Sequence, residues 1–173
     1  MRVGTVAQDW LAYDRLYGEL RAAARDIESG ARILPAVEDW SRVGAVAPND
    51  YRRPFFHAPA LMLLERPVFL PTLFTAAGRQ PLAVQPAYAA LDVPHGEPVP
   101  VELLVALVSP ESAERLSREV GWREIYDRLA GWSETFDYVL MLDFGAPRNP
   151  LPGLLTPTVS GSYFTLYTIA HGG

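Results

Sequence analysis

The sequence predicts an α/β domain: a single mixed, partly parallel sheet of four or five strands with helices packed on it. Three observations point there. A helical repeat, a glycine stop and a short apolar run follow one another over residues 9–37. A second long apolar run, Phe136–Asp143, stands near the C-terminus behind another helical stretch. These runs are continuous rather than alternating, as strands covered on both faces require. The chain has 173 residues, 49% of them hydrophobic. That length suits one domain, residues 1–173, burying about 70% of its unfolded surface.

The elements follow in order. Trp10, Tyr13, Leu16, Tyr17, Leu20, Ala24 and Ile27 recur at three- and four-residue spacing, which predicts a helix over Asp9–Glu28 with these side chains on its buried face. Arg15, Arg21 and Arg25 take the other side, and Ser29-Gly30 supplies the stop. Ala31–Val37 reads as a buried strand, completing half of a Rossmann-like unit. Glu38–Pro54 reads as a loop, and Ala58–Arg66 as a short helix with Pro59 in its first turn. Val68–Thr75 is ambiguous because Pro71 interrupts it, and Pro81–Gln85 reads as a second strand. Ala87–Pro100 is rich in proline and reads as a surface loop. Pro100–Val108 fits strand or helix, with its length and β-branched residues favouring a strand.

Ser109 then caps a helix that carries Pro110 in its first turn, and Trp122–Trp132 is a further helical stretch. Phe136–Asp143 is the best strand in the chain, Gly145–Pro157 a turn region, and Ser162–Ala170 the closing strand. No helix joins those last two strands, so they pair antiparallel.

Composition excludes several chemistries. The chain has no cysteine, so disulfides, zinc–thiolate sites, iron–sulfur clusters and thiol nucleophiles are out. All 15 basic residues are arginine, so a Schiff-base lysine and a Walker A phosphate loop are out as well. Arginine clamps anions but does not act as a base. The net charge of −5 speaks against nucleic acid as a partner. Asp9, Asp14 and Glu19 are wrong for a signal peptide. Phe55–Phe74, the most apolar stretch, carries His57, Glu65, Arg66 and three prolines, which is wrong for a membrane span. A soluble chain without a transmembrane segment is expected.

Candidate chemistry is sparse. The glycines form no dinucleotide fingerprint, and Ser160-Gly161-Ser162 reads as a turn rather than a nucleophile elbow. Arg52, Arg53 and His57 form the strongest ligand-binding candidate, because paired guanidiniums bind phosphate or carboxylate and an imidazole transfers protons near neutrality. Asp92, His95 and Glu97 gather oxygen and nitrogen ligands within six residues and are a weaker metal candidate, in a spacing that matches no established site. Asp143 ends a strand, where open α/β sheets place functional groups, yet a cap of the turn before Gly145 is the preferred reading. Neither a catalytic residue nor a cofactor is assigned.

Gly30–Pro35 after a helix, His57–Arg66 running into Phe69–Phe74, and Phe136–Asp143 followed by Phe164–Ile169 carry a resemblance. Over residues 13–170 the chain resembles the soluble C-terminal domain of bacterial polytopic membrane proteins of the dolichyl-phosphate-mannose mannosyltransferase (GT-C) type. The resemblance implies an extracytoplasmic domain whose partners are the membrane portion of a larger protein or a glycan; without it, a cytoplasmic location is expected. The catalytic carboxylates of that family lie near its first membrane spans, which this chain lacks. The leading expectation is therefore a non-catalytic domain associated with envelope polysaccharide or glycolipid machinery. The alternatives are a small free-standing enzyme using His57 with Arg52 and Arg53 on an anionic substrate, and a self-associating module. The apolar stretch Phe55–Phe74 reads first as core and second as a docking face.

Overall fold

Ile33–Val37 carries no polar side chain and is buried at all five positions, so this strand, β1, needs neighbours on both edges and cover on both faces. It has them. A computed structural model describes residues 2–47, 53–73, 83–93, 97–109, 111–112, 114 and 123–171. In it β1 pairs in parallel with β2 (Val99–Pro100) on one side and with β3 (Tyr138–Leu142) on the other. Beyond β3 come β5 (Phe164–Ile169) and then β4 (Leu155–Ser160), both pairings antiparallel. The order is β2-β1-β3-β5-β4, a single mixed sheet of five strands.

Side chains alternate between two cores. Ile33, Val37, Leu140, Leu142 and Leu166 face the first, covered by helix α1 (Arg2–Ala24), by α2 (Arg53–Phe56) and by a 3-10 segment at Ala58–Leu64. Leu34, Ala36, Val139, Met141 and Tyr167 face the second, covered by α3 (Val101–Val108) and short helices at Arg123–Leu129 and Trp132–Thr135. After β1 the chain runs over the first face; after β2 it returns over the second. Among the described residues no helix is long and apolar enough to cross a membrane.

Several expectations change. Leu16, Leu20, Ala23 and Ala24 of α1 are buried, but Trp10 is 73% exposed, because the N-terminal half of the helix, with Val6 and Leu11, runs past the core. Pro100–Val108 is a helix rather than a strand: Val101 and Leu104, one turn apart, are sealed against the sheet while Val105 and Val108 stay exposed. Of the strand expected at Pro81–Gln85, Ala83–Gln85 is irregular, and Pro81 and Leu82 lie outside the described residues. The expected loop at Ala87–Pro100 contains a 3-10 turn at Pro86–Leu91 and ends in β2. The turn region at Gly145–Pro157 runs into β4. Within Phe55–Phe74, Phe55, Ala58, Met62 and Leu70 are buried in the core, while Leu64 is 68% exposed. Glu65 accepts hydrogen bonds from Arg21 Nε (2.7 Å) and Arg25 Nε (3.0 Å), clasping α1. The helix expected at Ser109 lies largely outside the described residues.

Candidate functional site

Two buried strands run side by side and each stops at a carboxylate. The in-register pairing of Val37 with Leu142 puts Glu38, one residue past β1, beside Asp143, one residue past β3. Glu38 N–H donates to the Leu142 carbonyl at 3.0 Å, which fixes that alignment. By alternation Glu38 follows Leu34 and Ala36, and Asp143 follows Val139 and Met141, so both lie on the α3 side of the sheet. Connections leave β1 and β3 toward opposite edges of the sheet, and the crevice between such carboxyl ends is where open α/β sheets bind ligands.

Asp143 is fully enclosed, at 1% exposure. Its Oδ2 accepts from the Thr165 hydroxyl at 2.7 Å and its Oδ1 from Gly145 N–H at 3.1 Å. Burial pushes its pKa up; Thr165, Gly145 and the Arg42 charge oppose that. Phe144 follows with φ of +49°, a left-handed conformation outside glycine, and Gly145 with φ of +80°. The chain thus turns sharply off β3, and Arg148 and Asn149 come to line a cleft over Glu38. The capping role read for Asp143 is what the structure shows.

Glu38 is half-buried, and its Oε2 is sealed from solvent without a hydrogen-bond partner among the described residues. Burial raises its pKa, as do Asp143 and Asp39, while Arg42 and Arg148 lower it. Beneath lies Tyr167, whose phenol is raised by burial first and then by the charges of Asp143 and Glu38. The cleft has a volume of about 520 Å³; Glu38, Glu102, Ser109, Ser112 and Arg148 supply its polar lining, and Val101, Val105 and Ala106 its apolar strip. Sugars, nucleosides and small metabolites fall within that size.

Of the residues singled out from sequence, the described ones, His57, Asp92 and Glu97, do not line this cleft. His57 is exposed at the start of the 3-10 segment, makes no capping hydrogen bond, and does not line the Glu38 cleft. Arg52 lies outside the described residues, as does the side chain of Arg53, whose backbone opens α2. Asp92 is half-buried behind the 3-10 turn, Glu97 is exposed, and His95 lies outside the described residues. Among the described residues no group of three or more His, Asp or Glu could hold a metal ion. Sequence reasoning missed Glu38, which it left at the head of a loop. The available signal was an acid directly after each of two wholly apolar runs. The chain matches no family model, no curated protein and no solved structure.

Proposed function

We propose that the chain is a binding domain that takes a small polar ligand into the cleft over β1 and β3, and that it serves membrane-bound machinery for envelope glycans or glycolipids. The observation that carries ligand binding is the cleft at the carboxyl ends of β1 and β3, with Glu38, Glu102 and Arg148 on its lining. Support for the second half is the likeness of residues 13–170 to C-terminal domains of GT-C-type membrane proteins. In this reading the polar groups of the cleft bind and orient, and the chain carries no reacting centre.

The test is an amide-resonance titration of the whole chain with a panel of monosaccharides, their phosphates and glycolipid headgroups. Saturable shifts confined to Glu38, Glu102, Ser109 and Arg148 are expected for at least one compound. A panel that leaves those amides unmoved, or moves only residues remote from the cleft, refutes the reading.

A further inference from the structure

We infer that Phe144 is a positioning residue for the cleft: its ring, buried on the α1 side of the sheet, holds a strained turn that sets Arg148 over the other side. What this means for a ligand rests on the binding reading above; the positioning itself is read without one. Phe144 and Gly145 are consecutive residues of positive φ, +49° and +80°, and Ala146 N–H closes the turn on the Asp143 carbonyl at 3.3 Å. That is the pattern of a type I′ turn, whose two inner positions suit glycine, asparagine and aspartate. Gly145 meets the preference and Phe144 does not. A bulky side chain in the left-handed region is an outlier, and its surroundings must hold it there.

Those surroundings belong to the first core. The Phe144 ring is fully buried, edge-on to Phe55 at 5.3 Å between centroids and beside Trp40 at 5.7 Å. Its N–H and that of Asp143 both donate to the Tyr163 carbonyl, at 3.1 and 3.0 Å, which ties the turn to the residue before β5. Alternation puts Asp143 on the cleft side, so a single peptide unit joins the aromatic cluster to the cleft. Beyond the turn, Pro147 has a fixed φ and disfavours the helical region for Ala146, so the direction of exit carries to Arg148. On the far side Asn149 is anchored, donating to the Leu155 carbonyl at 2.8 Å and accepting from Leu151 N–H at 3.0 Å. Arg148 thus hangs between two fixed points, and the Phe144 ring sets one of them. Glu38 reports where Arg148 sits. Burial raises the Glu38 pKa first; the Arg42 and Arg148 charges lower it, and Asp143 and Asp39 raise it. Glu102 shares the cleft lining, and Tyr167 lies beneath.

The test follows the Glu38 side-chain carboxyl by NMR through its titration in the whole chain. The parent is compared with Phe144→Leu, Phe144→Ala, Arg148→Gln, and Phe144→Leu combined with Arg148→Gln. Amides of the second core, remote from the turn, verify folding, and Phe144→Leu decides alone if Phe144→Ala does not fold. Charges that no variant alters act on all of them alike, so only differences are read. Arg148→Gln removes a cation and is expected to raise the Glu38 midpoint. Phe144→Leu and Phe144→Ala are expected to raise it in the same direction, the alanine more. In the combined variant Phe144→Leu is expected to add nothing, because the cation it displaces is already gone. A midpoint that stays at the parent value in the folded Phe144 variants overturns the inference and leaves Phe144 a core side chain. So does a midpoint that falls, or one that Phe144→Leu still moves without Arg148, since another charge is then the one displaced. An Arg148→Gln chain with the parent's midpoint overturns it too, because Arg148 is then not held over Glu38. A silent ligand panel, by contrast, removes the binding reading and leaves this placement standing.

Discussion

Thr165 is a polar side chain sealed inside a sheet at 2% exposure, and Asp143 is what it satisfies. Replacing Thr165 by valine keeps the shape, deletes the donor and leaves a buried carboxylate oxygen unpaired. A loss of about 1–3 kcal/mol is expected in urea unfolding at neutral pH. Two residues after Asp143, Gly145 holds φ of +80°, and an added Cβ would sit 3.4 Å from Val46 Cγ1 and 3.5 Å from the Ser162 carbonyl. Space is therefore adequate and conformation is the obstacle. Gly145→Ala is expected to cost about 1–2 kcal/mol, the penalty of a left-handed residue with a side chain. The same unfolding measurement checks it, and an unchanged midpoint would show that the turn relaxes. Asp143 was legible as a cap because Asp-x-Gly turns are local. Its neighbours Glu38 and Thr165 were not, because strand register alone brings them together.

At the scale of elements, legibility followed burial. β1, β3 and β5 stood out because they are buried on both faces and read as apolar runs. β2 is two residues inside a proline-rich stretch, and β4 is exposed at most positions, with Pro157 tolerated because the strand lies at the sheet edge. Neither carries a hydrophobic signature. α3 misled for the opposite reason: VELLVALV is so apolar that its one buried stripe is hidden. Trp132 holds that helix in place. It is 1% exposed, and its indole N–H donates to the Leu104 carbonyl at 3.1 Å. Trp132→Phe removes the donor and opens a small void, so a loss of about 2–4 kcal/mol is expected from the hydrogen bond and the cavity together. Because α3 walls the cleft, the amides of Val101 and Glu102 are expected to shift as well. If those amides stay in place, the tryptophan acts on stability alone.

Over the whole molecule the ionisable groups pull stability in opposite directions with pH. The folded chain raises Glu38 and Asp143, burial being the first cause at each, and lowers Glu65 through hydrogen bonds from Arg25 and Arg21. Above the ordinary carboxylate range, about pH 4, the folded state therefore still holds protons on Glu38 and Asp143 that the unfolded chain has released. Stability contributed by these two groups is complete below that range and is lost as pH rises through their folded values. Glu65 behaves in reverse: its contribution is present above the ordinary value and lost as pH falls through the depressed one. The summed contribution of these three groups is therefore greatest near the ordinary carboxylate range. Glu38→Gln keeps the side-chain shape, abolishes one titration, and so is expected to make the decline toward neutral pH shallower while leaving the acid limb intact. Glu65→Gln is expected to flatten the acid limb and to lose its effect in high salt, since Arg21 and Arg25 are largely exposed. Urea midpoints across the acid-to-neutral range decide both. A Glu38→Gln profile running parallel to the parent on the neutral limb would mean that Glu38 ionises in the folded chain as it does in the unfolded one.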